Sequence, residues 1–222
     1  MARFAQLLVV SQLSGYVVAF ILSFLTFIPL ILHQKEFRGR CVLFTTGTWS
    51  EEDGQLVASW ASPLFCDYCI VIGIFLIPFC ALGIYRSSKY LYYQRDCIFL
   101  FAFLDAITCG VFAVLYLIAA LFITIGFQKW CRTITKRFES CQDATVNAID
   151  VKDNIDTSWF YVEVGAAQFG AWATWSVLVG LTVFATLKVW QSHQQENIRL
   201  TMAQNRRKLC KGAVEDAFFD FT

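Results

Sequence analysis

The sequence predicts an all-α membrane protein, a bundle of four spanning helices carrying a small extracellular head. Two observations carry that prediction. Four long apolar stretches, at about 7–32, 69–85, 97–127 and 160–187, interrupt a chain of 222 residues. Four of its nine cysteines, Cys41, Cys66, Cys131 and Cys141, fall in the two longer segments between those stretches. A spanning helix needs about 20 mainly apolar residues. Lipid offers nothing to an open backbone, so each stretch reads as a helix. Composition agrees: 57% of residues are hydrophobic and only 16% charged, and the mean hydropathy is +0.54. A soluble domain is about a quarter charged. The segments left over are too short to build a separate soluble domain, and a net charge of +1 offers nothing to nucleic acid.

The first stretch begins after one early charge, Arg3, and has no small-x-small cleavage pattern before Pro29. It reads as a first span, not a cleaved leader. An even number of spans places both termini on one side, here expected to be cytoplasmic. That side would hold ten basic residues and the other eight, a weak positive-inside bias. The loop cysteines argue more strongly, because disulfides persist in oxidising compartments. The expected location is the plasma membrane or a membrane of the secretory pathway. Asn147, Asn154, Asn197 and Asn205 all fail the N-glycosylation pattern.

The first outer loop, 33–68, reads as a β-hairpin: an apolar, β-branched run over 41–49, an acidic turn Glu51-Glu52-Asp53-Gly54, and a loosely alternating run over 55–60. A lone two-stranded ribbon is marginal, so a disulfide and the helix ends are expected to support it. Four cysteines allow three connectivities; pairing within each loop, Cys41–Cys66 and Cys131–Cys141, is the favoured one. Cys69, Cys80, Cys97 and Cys109 lie in or at the ends of spans and read as small apolar packing residues.

The short inner loop, 86–96, mixes Tyr90, Tyr92 and Tyr93 with basic residues and reads as an interfacial anchor. The second outer loop is 128–159. The third span is 31 residues, about 46 Å at about 1.5 Å per residue, and should project beyond a hydrocarbon core of about 30 Å. The membrane domain thus covers 1–190, and 191–222 reads as a cytoplasmic tail. That tail carries the basic cluster Arg206-Arg207-Lys208-Leu209-Cys210-Lys211, with Cys210 a candidate for S-acylation. Its apolar end, 217–222, suits docking on a membrane or a partner.

Chemistry is sparse. The two histidines, His33 and His193, sit on opposite sides, no metal-ligand spacing occurs, and neither a phosphate loop nor a nucleophile elbow is present. No enzymatic activity and no cofactor are expected. Cys66-x-x-Cys69 matches a redox motif on spacing alone; without a surrounding βαβ pattern it reads as a structural disulfide beside a span cysteine. Asp105, eight residues into the third span, is an intramembrane carboxylate, which is by default a functional hypothesis. Gln12 of the first span lies at about the same depth and is its expected hydrogen-bond partner. Glu163 lies at the outer end of the fourth span, within reach of water. In that span Ala166-xxx-Gly170 and Ala167-xxx-Ala171 let helices approach closely, either inside the bundle or against a partner helix.

The segments Phe37-Arg38-Gly39-Arg40-Cys41-Val42-Leu43-Phe44, Gly47-x-Trp49, Gly126-Phe127-x-x-Trp130-Cys131, Ser140-Cys141, Ala167-Gln168-Phe169-Gly170-x-Trp172-Ala173-x-Trp175 and Leu187-Lys188-Val189 resemble the transmembrane protein 179 family of four-span proteins. The resemblance covers about residues 1–190 and implies an integral membrane protein with no assigned enzymatic activity. The layout is also similar to claudin-like four-span proteins. Gly47-Thr48-Trp49 echoes their Gly-Leu-Trp signature, but Glu52 stands where a cysteine is expected.

The function expected from these readings is that of a non-enzymatic accessory or interaction subunit, with the lipid bilayer and another integral membrane protein as partners. A small channel or transporter using Asp105 is the alternative.

Overall fold

The computed structural model describes residues 2–50, 56–93, 99–145 and 158–219. In chain order it contains α1 (Ala2–Glu36), β1 (Cys41–Trp49), β2 (Leu56–Ala61), α2 (Leu64–Tyr93), α3 (Phe99–Ile134), a short 3₁₀ turn (Cys141–Thr145) and α4 (Phe160–Phe219). All four α-helices are long and apolar enough to cross a membrane. The acidic turn expected at 51–54, Cys97 and the last residues, 220–222, lie outside the described residues, as does the side chain of Cys210.

Each helix runs past the apolar stretch that announced it. Hydropathy marks where lipid begins and ends, whereas the helical hydrogen-bond ladder continues until a cap stops it. Thus α2 begins at Leu64, so that Cys66 and Tyr68, expected in a loop, lie in its first turns. The 60 residues of α4 continue without a break through the expected tail boundary near 190. The end of α1 is capped: Gly39, with φ 82°, donates its N–H to the Gln34 carbonyl at 2.7 Å. This left-handed position is where glycine ends helices.

Within the bundle α1 packs along α2 and α4, and α4 along α3. Between α2 and α3 the space is filled by rings: Phe79 stacks on Phe112 with centroids 4.8 Å apart, and Phe65 and Tyr68 meet Phe122 at 5.4 and 5.5 Å. The core has two storeys inside the bundle, one around Tyr16, Leu76, Tyr116 and Leu178 and one around Leu30, Ile123, Ala167 and Ala171. A third cluster, with Phe37, Val42, Leu56, Trp130 and Phe160, forms the head.

The hairpin is antiparallel, with Cys41 opposite Ala61 and Trp49 opposite Leu56. Between the pairs Cys41↔Ala61 and Thr46↔Ser59, β1 has residues 42–45 and β2 only Trp60, a pronounced bulge. Phe44 adopts φ 67° there, rare for an aromatic residue, and its ring rests on Phe65 at 4.7 Å. Thr45 supplies what the broken ladder lacks. Its hydroxyl donates to the Cys41 carbonyl at 2.8 Å and accepts the Ala61 N–H at 3.2 Å.

Candidate functional site

Two regions of the molecule concentrate chemistry: the head, and a set of polar contacts near the end of the bundle that carries the termini. In the head, Cys41 is bonded to Cys66 and Cys131 to Cys141, with Cα–Cα distances of 5.9 and 5.1 Å. The first clasp ties the start of β1 to α2, and the second ties the end of α3 to the 3₁₀ turn. Cys66 is therefore not half of a dithiol with Cys69, which is a free, buried thiol whose Sγ lies 3.8 Å from the Ala119 carbonyl. Gly126 seats β1 on α3: a Cβ there would lie 2.8 Å from the Leu43 Cβ. Trp49 locks the far end, donating its indole N–H to the Thr133 carbonyl at 3.1 Å, while the Arg137 guanidinium lies 5.2 Å from its ring. Beneath the head His33 is fully buried, its ring tilted against Phe37 with centroids 4.3 Å apart and its Nδ1 3.9 Å from a Glu163 carboxylate oxygen.

The small-residue face of α4 packs inside this chain. Ala167, Gly170 and Ala171 are buried, and Ala166 is half-buried. Gly170 lies against the backbone of α1 at Leu25 and Thr26, while Ala167 and Ala171 join the core with Ala119, Ala120 and Ile123 of α3. Of the two uses open to these small residues, packing inside the bundle is the one the structure displays, against α1 at Gly170 and against α3 at Ala167 and Ala171.

At the other end, Asp105 does not meet Gln12. Arg86 of α2 donates to the Asp105 carboxylate at 2.9 Å; the carboxylate side chain is 6% exposed and the arginine 44%. Gln12 instead accepts from the Lys188 ammonium of α4 at 3.4 Å, and that ammonium also lies 5.0 Å from the Tyr90 ring centroid. The physical reason is reach: arginine and lysine stems cross between helices, whereas aspartate is too short to do so. Tyr16 and Cys109 also meet, with hydroxyl and sulfur 3.4 Å apart. Gln12 and Tyr16, Cys109 and Asp105, and Arg86 and Tyr90 are each four residues apart, one helical turn. Four contacts between helices, set apart by these one-turn spacings, therefore touch all four helices.

Sequence reasoning missed Arg86 and Lys188. Each is nevertheless the first cation beyond an apolar stretch, and that is a readable signal. Nearer the middle of the bundle, hydroxyls bond their own helices: Ser23 to the Phe20 carbonyl, Thr26 to Leu22 and Thr174 to Gly170. Among the described residues no group of three or more His, Cys, Asp or Glu side chains is placed to hold a metal ion.

Residues 8–210 match the family model described as the Transmembrane protein 179/179B Claudin domain. No solved structure matches the chain.

Proposed function

The chain belongs to the Transmembrane protein 179/179B claudin-domain family of multi-pass membrane proteins, and we propose that it serves as a non-enzymatic accessory subunit whose head engages another integral membrane protein. The observation that carries this reading is the outer strand of the head. Among the described residues β2 pairs only with β1, and it presents Val57 at 61% exposure. An uncovered edge strand is a ready template for pairing with another chain. Here it is held rigid by a disulfide at its base, so little ordering entropy opposes docking. The ring-filled seam between α2 and α3, and hydroxyls that bond their own helices, favour a structural role for the bundle over conduction.

In this proposal the termini are cytoplasmic and the head is extracellular or lumenal. The supporting observation is that both disulfides lie at the head end, where an oxidising space keeps them. Epitope tags at the two ends should be labelled only after permeabilisation; labelling of intact cells at either tag would reverse the orientation.

The accessory role is tested by placing a photo-crosslinking residue at Val57 in the full-length protein in cells. A single stoichiometric adduct with another membrane protein is the expected result. Absence of any adduct, together with ion conduction by the purified protein alone, would favour the channel reading.

A further inference from the structure

Along α1 and α4 a groove of about 360 Å³ opens to the surface of the bundle, lined by Ser11, Ser14, Gly15, Val177, Gly180 and Phe184 among others. On α4 the lining positions Val177, Gly180, Leu181 and Phe184 follow helical spacing, and the next position on that face is Lys188. The groove therefore leads toward a cation at the end of the bundle that carries the termini.

Lys188 is unusual in its setting. A lysine at the end of an apolar stretch normally extends to the interface. This one is turned sideways onto the Gln12 amide oxygen and the Tyr90 ring, and no carboxylate meets it among the described residues. An ammonium without a counter-ion at the edge of the hydrocarbon is costly.

We propose that the α1–α4 groove holds a phospholipid of the leaflet on the termini side, with an acyl chain along Gly180 and an anionic headgroup against Lys188. The chemistry is a phosphate or carboxylate oxygen meeting one ammonium. An acyl chain suits the lining because Gly180 brings no side chain into the groove, whereas the place of a Cβ on Gly15 is taken by Leu181, whose Cδ2 would lie 2.7 Å away. A Cβ on Gly180 would meet nothing within 4 Å. Headgroup selection follows from the uncompensated lysine, since anionic lipids are drawn to basic residues at the membrane surface. The inference is independent of the partner proposed for the head.

The test uses the full-length protein in nanodiscs of phosphatidylcholine containing a minority of phosphatidylserine, followed by mild detergent extraction and native mass spectrometry. The wild type should retain one phosphatidylserine per chain, preferred over phosphatidylcholine by about five-fold. Lys188→Gln should bring the two lipids to parity. Gly180→Leu, which fills the groove from open space, should lose both lipids while its thermal melt stays at the wild-type value. Inorganic phosphate at millimolar concentration should not displace the lipid; displacement would assign the site to a free anion and overturn the lipid. Equal retention of both lipids by wild type and Lys188→Gln would overturn headgroup selection. A Ser14→Cys variant that crosslinks to a protein through the groove would overturn the lipid in favour of a helix.

Discussion

Gly170 of α4 lies directly against Thr26 of α1: a Cβ on the glycine would stand 2.9 Å from the threonine hydroxyl oxygen and 3.0 Å from its backbone nitrogen. The contact falls on the turn that Pro29 disturbs. Proline has no N–H to offer the carbonyl four residues earlier, here Leu25, and the Leu25 carbonyl carbon is itself 3.0 Å from that Cβ position. The two helices thus touch backbone to backbone where α1 departs from regular hydrogen bonding.

Gly170→Ala is therefore expected to destabilise the bundle even though alanine is the better helix former. The methyl group meets backbone, which cannot rotate away, so the cost should be about 1–3 kcal/mol, as for other overpacked sites. Gly165→Ala is the control, because a Cβ there meets nothing within 4 Å. Thermal melts in detergent should show a lowered midpoint for the first and none for the second. Equal midpoints would mean that α1 and α4 separate easily at this level.

The two disulfides should differ in what they hold. Residues 41 and 66 are separated by 25 positions and residues 131 and 141 by 10. On the chain-entropy model each stabilises by about 3 kcal/mol, the longer loop somewhat more. Cys41→Ser also loosens β1 from α2, so it should unfold the head first, detected as protease cleavage within 41–61. Cys131→Ser should leave that segment protected. Peptide mapping without reduction should recover both within-loop pairs, and a pair joining the two loops would contradict the structure.

Asp105 and Arg86 form the only ion pair described between α2 and α3. Arg86→Leu leaves a buried carboxylate without its cation, which in buried pairs costs about 3–5 kcal/mol. Asp105→Asn leaves a half-exposed arginine, which water can serve, and should cost about 1 kcal/mol or less. The asymmetry is the signature. Double replacement, Asp105→Leu with Arg86→Leu, should recover part of the loss seen with Arg86→Leu alone. A melt in which all three variants fall equally would show that the pair is not what joins these helices.

How far these features could be read from the sequence depends on whether they are local. The apolar stretches locate four helices because lipid imposes one structure on them. The β-branched run over 41–49 indicates a strand, and the cysteine positions suggest loops clasped upon themselves. The partner of Asp105 was not legible. Hydropathy falls at Tyr85, so Arg86 reads as loop, whereas α2 continues to Tyr93 and carries the arginine onto the aspartate. The small residues from Ala166 to Ala171 announce close packing, but spacing along one helix does not say which neighbour comes close. The bulge at Phe44 has no local sequence signal. It exists because Cys41 is fixed to α2 and Leu43 is pressed on Gly126, which leaves more chain on β1 than β2 can pair.

That bulge supplies the last prediction. Where β1 and β2 lose their pairing, the Thr45 hydroxyl acts as both acceptor and donor, taking the Ala61 N–H and giving its own proton to the Cys41 carbonyl. Thr45 is fully buried, as is Cys41, so water cannot replace the bond to the Cys41 carbonyl, whereas Ala61 is half-buried. Thr45→Val keeps the shape and the β-branch but leaves the Cys41 carbonyl without that donor, worth about 1–3 kcal/mol when buried. Thr45→Ser keeps the hydroxyl and gives up only a methyl group, so it should retain most of the stability. The readout that separates hydrogen bonding from simple packing is the accessibility of the neighbouring disulfide. With Thr45→Val, opening of the strand base should speed reduction of Cys41–Cys66 by a mild thiol, while reduction of Cys131–Cys141 stays at the wild-type rate. If valine and serine variants melted alike and reduced alike, the hydroxyl would be incidental, and the fold of the bulge would rest on the disulfide and on the seat of Leu43 against Gly126.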